Sequence, residues 1–451
     1  MSDHWLAIQL EQADNTLPLH ERLAQCIAQA IEDGHFNETG RLPTHRELAR
    51  TAAVSIGTVT KAIDVLTARG LVRGQVGRGT FIIAPSITPR AGVIDLSANV
   101  PPPVVPESVM LQAAERAVRN VLHLPSSGLY DHKGSARQRQ VFAQWLARDR
   151  VSLDPEEIVL CTGAQQAIYL AFSDLRPHSR LIASECETFS GAVAAAADLE
   201  MNWVAVEHDS QGMLPDKLDA ALQATGCKIV YTIPVCQNPL GFEVGQTRRE
   251  AIAAVAKKHD AYIVEDDIYG IYAVSGSPTY KELDPDRVYF ATSLSKCLTP
   301  LLRAGVLAPP QQRLNGIVRQ LRALVLGASP IALEMGCVLL ETGADRAAAA
   351  ALRDEARART TIAQALLRLD SVPMPSGSPH LWLPLRPVEA ERLARRAGEQ
   401  GIRLTPPDAG TVGPSSGGLR LCILAPALRS DMEQALKQLA SLIDDPDEVV
   451  V

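Results

Sequence analysis

The sequence lacks any long apolar run. No stretch approaches the ~20 uninterrupted apolar residues that a membrane-spanning helix needs, which argues against an integral membrane protein. The first residues, MSDHWLAIQLEQAD, are acidic and carry no basic segment ahead of an apolar one, which is not the pattern of a secretory signal. We therefore expect a cytoplasmic protein that has no membrane partner.

Cysteines at metal-binding spacing are also missing. The chain has eight cysteines, but none forms a C-x-x-C pair and their spacings do not repeat. This pattern argues against a disulfide framework and against a zinc ribbon, and it fits a reducing cytoplasm. No metal site is predicted.

The 451 residues that are present predict two or three folded domains. The formal net charge of −7 argues against a protein that binds nucleic acid over its whole surface. The charge is uneven, however, because residues 1–40 hold one basic and seven acidic residues, whereas residues 41–83 hold seven basic and two acidic ones. A basic segment inside an acidic chain indicates one small nucleic-acid-binding module.

The first 83 residues have the pattern of three short helices and a hairpin. Apolar residues recur every four positions from Leu23 to Ile31, which predicts the first helix. Thr44 and Glu47 form a T-x-x-E capping box that starts the second helix. Ser55 can cap the third helix. The segments LVRGQ and TFII then have the alternation of residues that is typical of two strands, and the turn VGRG joins them.

These elements are typical of a winged helix–turn–helix, whose reading helix enters the major groove of DNA while the wing reaches the neighbouring groove. Here the helix after Ser55 is the reading helix, and the turn VGRG is the tip of the wing. The predicted DNA contacts are Arg46, Ser55, Thr58, Lys61, Gly77 and Arg78. On this pattern alone, a small helical packing domain with a solvated charge run stays open as an alternative.

The string LPTHRELARTAAVSIGTVTKAIDVLTARGLVRGQVGRGTF resembles the winged helix–turn–helix of the GntR family of bacterial regulators, and the resemblance implies binding to double-stranded DNA. The chain departs from this family at two positions of the reading helix. The family often carries arginine where this chain has Ile56, and often another basic residue where it has Thr60. Lys61 partly substitutes for the missing charge.

The rest of the chain has a different pattern. Residues 84–94 contain two prolines and a glycine, which predicts a linker. From Asp95 onward, apolar runs such as IVLCT, KIVYTIP and AYIVED alternate with Ala-rich helical stretches. This alternation predicts an α/β fold with a mostly parallel sheet. The predicted domains are residues 1–83 and residues 95–451, with a smaller lobe over about 330–451.

The strongest local signal is a lysine among hydroxyl groups, in the string SLSKCLTPLLRAG. Lys296 lies beside Ser293 and Ser295, and Arg303 follows them. A lysine in this setting suits a Schiff base with an aldehyde, while the serines and the arginine suit a phosphate. The alternative for an isolated motif of this kind is a polar loop with one solvated lysine.

Four further motifs follow predicted strands. Asp266 closes AYIVED, where a carboxylate can stay ionised by pairing with a cationic ring nitrogen. Gly163 lies between the strand IVLC and a helix, where backbone N–H groups can hold a phosphate. Asn238 and Phe189 follow two more strands, and each taken singly is also compatible with a turn or a core position. Because ligands of open α/β sheets gather at the carboxyl ends of the strands, we expect one site.

Together these motifs resemble those of the fold-type I aminotransferases, which use pyridoxal 5′-phosphate, and the resemblance runs from about Asp95 to the end. It implies that Lys296 forms the Schiff base and that Asp266 pairs with the pyridinium nitrogen. The other implied cofactor-binding residues are Ala164, Gln165, Phe189, Asn238, Tyr269, Ser293, Ser295, Arg303 and, from the neighbouring subunit, Tyr130. Arg420, in GGLRLCI, matches the arginine that binds a substrate α-carboxylate.

A GntR-type head joined to an aminotransferase-like body resembles the MocR subfamily of bacterial transcription regulators. This resemblance implies a head-to-tail homodimer whose body senses a ligand rather than turning over a substrate. The implied function is a regulator that binds operator DNA and senses an amine, an amino acid or a B6 vitamer through an aldimine at Lys296. A working aminotransferase with a fused DNA-binding domain is one alternative, and a body that no longer binds cofactor is another.

Overall fold

The computed structural model divides the chain into two compact units, Met1–Gly92 and Val93–Val451, which we call the head and the body. The described residues are 6–7, 10, 18–32, 42–68, 72–75, 79–82, 93–123, 131–369, 377–414 and 417–444. The predictions for Gly77, Arg78 and Tyr130, and most of the predicted linker, lie outside these ranges.

The head has the helices and the ribbon of a winged helix–turn–helix. Its described elements are α1 (Leu19–Glu32), α2 (His45–Thr51), α3 (Ile56–Ala68), β1 (Val72–Gln75) and β2 (Gly79–Ile82). Strands β1 and β2 pair antiparallel. The predicted capping box of α2 is confirmed, because the Glu47 N–H donates to Thr44 Oγ1 over 3.3 Å and the Thr44 N–H donates to Glu47 Oε2 over 2.8 Å. The core of the head includes Leu23, Ile27, Val59, Ile63 and Leu66.

The body alternates strands and helices along most of its length. Its described helices are α4 (Glu107–Leu122), α5 (Ala136–Asp149), α6 (Ala164–Leu175), α7 (Ser190–Asp198), α8 (Pro215–Thr225), α9 (Gln246–Lys258), α10 (Tyr280–Leu283), α11 (Leu314–Val325), α12 (Pro330–Glu341), α13 (Ala344–Leu367), α14 (Pro387–Glu399) and α15 (Arg429–Asp444). Its described strands are β3 (Ile94–Asp95), β4 (Val159–Cys161), β5 (Leu181–Glu185), β6 (Asn202–Val206), β7 (His208–Asp209), β8 (Gly212–Met213), β9 (Ile229–Thr232), β10 (Tyr262–Asp266), β11 (Val288–Ser293), β12 (Gly305–Ala308), β13 (Leu381–Pro384), β14 (Ile402–Arg403) and β15 (Gly418–Leu421). Within the described ranges, no helix combines the length and the apolar character that a membrane crossing requires.

A seven-stranded sheet organises the body, in the order β4-β12-β11-β10-β9-β5-β6. Strand β12 runs antiparallel to both of its neighbours, and the other pairs are parallel. The predicted α/β fold is therefore confirmed. The strands are apolar without alternation because helices cover both faces of the sheet. Tyr289 of β11 packs in the core that includes α6 and α11, whereas its neighbour Phe290 packs in the core that includes α5 and α12.

The C-terminal part of the body forms a lobe with its own core, in which α14, α15 and the end of α13 pack against β13 and β15. Strand β3, at the start of the body, pairs with β14 of this lobe. The sequence predicted that the lobe begins near residue 330, but α12 packs in the core of the first lobe against α4 and α5. This difference has a physical reason, because α12 is apolar nearly all round and such a helix must be buried among other elements.

Gly305 of β12 marks a very close approach between the sheet and the turn that precedes α6. A Cβ atom added to Gly305 would lie 2.6 Å from the carbonyl carbon of Gly163 and 2.9 Å from the carbonyl oxygen of Thr292. Backbone atoms cannot swing aside as a flexible side chain does. We expect Gly305→Ala to lower the free energy of unfolding by about 1–3 kcal/mol, measured by urea denaturation of the full-length protein.

Gly398 in α14 offers a matched control for this substitution. A Cβ atom added there would meet no atom within 4 Å. We expect Gly398→Ala to be neutral or to stabilise the protein by up to about 1 kcal/mol, because alanine restricts the unfolded chain more than glycine does. Equal losses from the two substitutions would contradict the close packing at Gly305.

Candidate functional site

A cavity of about 280 Å³ lies at the carboxyl ends of the central strands. It brings together the residues that the sequence singled out for cofactor and substrate binding, apart from Tyr130, which lies outside the described ranges. The predicted residues that line it are Ala164, Gln165, Phe189, Asn238, Asp266, Tyr269, Ser293, Ser295, Lys296, Arg303 and Arg420. Six further residues complete the lining, namely Ser97, Ala98, Asn99, Ser190, Ile233 and Ile268.

The topology of the sheet explains this convergence. Asp266 is the last residue of β10 and Ser293 is the last residue of β11, and these two strands are parallel neighbours. Ala164 begins α6 directly after β4, and Phe189 follows β5. Because the carboxyl ends of parallel strands meet at one edge of a sheet, residues far apart in the sequence share one cavity.

Lys296 is partly buried, and its ε-ammonium group donates a hydrogen bond to the carbonyl oxygen of Asn99. Burial lowers the pKa of this amine from its ordinary value of 10.5 to about 8, because the charged form loses hydration. The positive charges of Arg420 and Arg303 act in the same direction. A larger share of Lys296 is therefore the neutral, nucleophilic amine near neutral pH.

Asp266 is almost fully buried, with 2% of its surface exposed. Its carboxyl group accepts hydrogen bonds from the Tyr231 hydroxyl over 2.9 Å and from the Ile268 N–H over 3.3 Å. Burial raises the pKa of Asp266 to about 7, although the hydrogen bond from Tyr231 opposes this effect. A cationic group placed in the cavity would favour the carboxylate and return the pKa toward its ordinary range.

The other end of the cavity suits an anion. The Arg303 guanidinium lies beside Gly163, since a Cβ atom on that glycine would be 3.5 Å from Arg303 Nη2. Gly163 caps the N-terminus of the twelve-residue helix α6 with a φ of +81°, a conformation that glycine adopts without strain. The partial positive charge of the helix end, the guanidinium and the hydroxyl groups of Ser293 and Ser295 together have the chemistry that suits a phosphate group.

Arg420 comes from β15 of the C-terminal lobe and reaches the first lobe. Its Nη1 atom donates to Asn238 Oδ1 over 2.7 Å, and its Nη2 atom donates to the carbonyl oxygen of Ser97 over 2.6 Å and to Thr405 Oγ1 over 2.9 Å. Its Nε–H is buried and has no hydrogen-bond partner within the described chain. The guanidinium is therefore held in place at the cavity wall by three hydrogen bonds.

The structure adds three residues that the sequence did not single out. The Asn99 amide donates to the Tyr269 hydroxyl over 2.8 Å and lies 2.8 Å from His380 Nδ1. His380 Nε2 lies 3.0 Å from the carbonyl oxygen of Gln237, which can only accept, so this nitrogen carries the hydrogen. Burial lowers the pKa of His380 to about 3, so the ring stays neutral. The third residue is Tyr231.

The sequence pattern around Asn99, Tyr231 and His380 differs in how clearly it indicates a functional residue. Asn99 is a polar residue between β3 and a proline-rich run, which is a signal for a functional loop. Tyr231 lies inside the apolar strand β9, where it has the pattern of a core residue. His380 is a lone histidine before an apolar strand. Only Asn99 carried a signal that sequence reasoning could have used.

In the head, Arg46, Ser55 and Lys61 are exposed, and Thr58 is half-buried. The Ser55 hydroxyl caps α3, because it accepts from the Thr58 N–H over 3.1 Å and lies 2.9 Å from Thr58 Oγ1. The hydroxyl groups of both residues are thus engaged in the cap. Arg46 and Lys61 are the exposed cations among the predicted DNA contacts in the described part of the head.

Comparison with known proteins matches both parts of the chain. Residues 91–439 match the family aminotransferase class I and II, and residues 19–82 match the bacterial regulatory proteins of the gntR family. The chain therefore belongs to the aminotransferase class I and II family. It joins this domain to a gntR-type helix–turn–helix, which is the arrangement of the MocR subfamily and confirms that resemblance.

Two relatives and one solved structure illustrate these similarities. The chain is 24% identical over 444 residues to the uncharacterized HTH-type transcriptional regulator YdeF of Bacillus subtilis (strain 168), and the matched region covers 95% of each chain. It is 24% identical over 344 residues to the probable rhizopine catabolism regulatory protein MocR of Rhizobium meliloti, and the matched region covers 68% of each chain. The fold is similar to that of LysN, the α-aminoadipate aminotransferase of Thermus thermophilus, with a TM-score of 0.70 and 23% identity over 78% of this chain and 92% of that one.

The aminotransferase class I and II fold implies pyridoxal 5′-phosphate as cofactor, and the donor set of this cavity fits that group. The cavity offers a nucleophilic amine at Lys296 and a carboxyl group at Asp266 whose pKa burial raises. It offers the aromatic ring of Phe189 and, at the other end, the anion site beside Gly163. An aldehyde, a basic ring nitrogen, a flat ring and a phosphate are the chemical groups that these four features complement.

The lowered pKa of Lys296 predicts how cofactor uptake depends on pH. Because only the neutral amine attacks an aldehyde, the rate at which cofactor-free protein takes up pyridoxal phosphate should rise about tenfold per pH unit at low pH. It should level off above the pKa of about 8. Stopped-flow absorbance measures this rate. A rate that levels off only above pH 10 would contradict the burial of the amine.

Tyr231→Phe removes the hydroxyl group that donates to Asp266. The carboxylate then loses a hydrogen bond that favours its charged form, so the pKa of Asp266 should rise further. We expect the affinity for pyridoxal phosphate to fall by about five- to tenfold, measured by absorbance titration of the cofactor-free protein.

Tyr289→Phe is the matched control for Tyr231→Phe. The Tyr289 hydroxyl donates to Asp174 Oδ2 over 2.7 Å, and neither residue lines the cavity. Both variants should lose about 1 kcal/mol of stability, but Tyr289→Phe should bind the cofactor as the unaltered protein does. Equal cofactor affinity in the two variants would contradict a role for Tyr231 at Asp266.

Proposed function

We propose that this protein is a transcription regulator that depends on pyridoxal phosphate. In this proposal residues 1–83 bind operator DNA, residues 84–94 act as a linker, and residues 95–451 bind the cofactor and an effector. The observation that carries the proposal is the presence, in one chain, of a gntR-type head and a cavity lined by the predicted cofactor-binding residues of the described ranges.

Different residues of the cavity hold different parts of the cofactor. When bound, pyridoxal phosphate supplies an aldehyde and an electron-withdrawing ring. Lys296 provides the amine for the aldehyde. The negative charge of Asp266 stabilises the protonated ring nitrogen, and Phe189 stacks on the face of the ring. Hydrogen bonds from Asn238 and Tyr269 orient the ring hydroxyl. The phosphate group is held by Ala164, Gln165, Ser293, Ser295 and Arg303.

The effector in this proposal carries an amine and a carboxylate, as an amino acid does. The amine end meets Lys296, and the carboxylate end meets Arg420, whose guanidinium lines the same cavity. Arg420 already bonds to Asn238 and to Ser97, so a carboxylate that draws the guanidinium away changes contacts between the two lobes. A B6 vitamer that acts as both ligand and signal is the other effector class we propose.

A head-to-tail homodimer completes the proposal. Tyr130 of one subunit then contributes to the phosphate site of the other. Effector binding alters the spacing of the two heads and hence their affinity for a two-part operator. The change in DNA affinity is limited to the difference between the effector's affinities for the two states.

A working aminotransferase is the second candidate function, and one observation favours it. The cavity brings together the amine of Lys296, the carboxyl group of Asp266 and the guanidinium of Arg420, which are the groups that a transamination half-reaction would use. Steady-state release of a keto acid by the full-length protein supports this candidate. A single turnover followed by a stable complex supports the regulator.

The regulator proposal is tested on the promoter DNA directly upstream of the protein's own gene. The full-length, cofactor-loaded protein should bind this duplex, and amino acids screened as effectors should change the affinity by about fivefold or more. Lys296→Ala should keep the DNA binding and lose the change. Electrophoretic mobility shift and fluorescence anisotropy measure both properties.

Lys257→Ala is the control for the loss of a lysine, because Lys257 is exposed on α9 and does not line the cavity. It should respond to the effector as the unaltered protein does. A normal response in Lys296→Ala would refute sensing at this lysine. Absence of binding to any duplex would refute the regulator proposal itself.

A further inference from the structure

The surface of α3 that faces away from the core of the head begins with an exposed apolar side chain. Ile56 is the first residue of α3, and 50% of its surface is exposed. The inner stripe of the same helix, with Val59, Ile63 and Leu66, is buried in the core of the head. Ile56 is not part of that core, so packing within the described head does not account for an isoleucine at this position.

The polar groups around Ile56 are already used within the head. The Thr60 hydroxyl, one turn further along α3, donates to the carbonyl oxygen of Ile56 over 3.1 Å and lies 3.3 Å from His45 Nδ1. The hydroxyl groups of Ser55 and Thr58 form the cap of α3. The start of the helix therefore offers an apolar side chain where hydroxyl groups were predicted to read bases.

The residue next to Ile56 keeps this surface accessible. Gly57 is exposed, and a Cβ atom added to it would meet only the Ser55 hydroxyl, at 3.7 Å. The glycine leaves the isoleucine without a flanking side chain on the following residue, so a flat partner can approach it closely. The nearest exposed charge on the helix is Lys61, more than one turn away.

The chemistry of the major groove points to one partner for such a surface. The N-terminal residues of a reading helix are the ones that contact base edges. Among the four bases, only thymine presents an apolar group there, the methyl group at C5. The exposed cations Arg46 and Lys61 suit the phosphate backbone, and contacts to phosphates position the helix but carry no sequence information.

We propose that Ile56 packs against the methyl group of a thymine and is a specificity-determining residue of this head. This inference rests on the proposed function, because it requires that the head binds DNA. It assigns to each half of the operator one thymine that is read through its methyl group. A cytosine methylated at C5 presents the same group and should partly replace the thymine at that position.

The experiment uses duplexes selected from a random-sequence pool by the full-length, cofactor-loaded protein. In the selected duplex, each thymine is replaced in turn by uracil, which removes only the methyl group. We expect one replacement in each half-site to weaken binding by about three- to tenfold, and the other replacements to have smaller effects. Fluorescence anisotropy measures the dissociation constants.

Variants at the same position link this effect to the isoleucine. Ile56→Ala should bind the thymine duplex more weakly and should lose the difference between thymine and uracil, whereas Ile56→Val should keep it. Leu19→Ala is the matched control, because Leu19 is an exposed apolar residue at the start of α1, with 44% of its surface exposed. Circular dichroism verifies that each variant is folded.

The possible outcomes separate this inference from the function on which it rests. Selection of a duplex in which no uracil replacement matters would overturn the reading of a methyl group, while DNA binding would stand. A thymine preference that survives in Ile56→Ala would assign the contact to another residue and would also overturn it. Failure to select any duplex would refute DNA binding, and the inference would fall with it.

Discussion

Burial of two ionisable groups in one small cavity is the constraint on which the rest of the body depends. Burial makes the amine of Lys296 easier to deprotonate and the carboxyl group of Asp266 harder to deprotonate. Without a ligand, neither charge is well solvated, and the cavity carries an electrostatic penalty. A ligand with an aldehyde for one group and a positive ring nitrogen for the other relieves both penalties at once. The burial of these two groups therefore contributes to the affinity of the cavity for such a ligand.

The sheet makes that arrangement possible because it supplies a rigid frame. The site residues follow strands that are covered by helices on both faces, so their backbone positions are defined by packing rather than by loop conformation. The close contact between Gly305 and Gly163 holds the turn that precedes α6 against strand β12 of the sheet. The C-terminal lobe adds Arg420 from the opposite side, which makes the cavity sensitive to the relative position of the two lobes.

Sequence reasoning identified the parts of this site whose signals are local. Lys296 stood among serines, and Asp266 closed an apolar strand, so residue type and position pointed to the same chemistry. Tyr231 was invisible because a tyrosine in a buried strand has the same pattern whether or not its hydroxyl group meets a carboxylate. His380 was invisible for a similar reason. Their roles depend on contacts between segments that are far apart in the sequence.

The fold shows the same limit. The capping box of α2 was predictable because it depends on residues three positions apart, and the parallel sheet was predictable because apolar strands alternate with helical stretches along the sequence. The elements that pack against α12 were not predictable, because the sequence of an apolar helix indicates that it is buried but does not indicate which elements cover it. The reading helix illustrates a third case. Its position was predicted, yet the engagement of the Ser55 and Thr58 hydroxyl groups became evident only from their distances.

The segment that follows β3 has a consequence for the cavity. The carbonyl oxygen of Ser97 accepts from Arg420, and that of Asn99 accepts from Lys296, so this short stretch is bonded to two of the charged side chains that line the cavity. It is also the first described stretch of the body after the residues that lead from the head. Whatever releases Lys296 or turns Arg420 therefore removes a hydrogen bond to the backbone of residues 97–99.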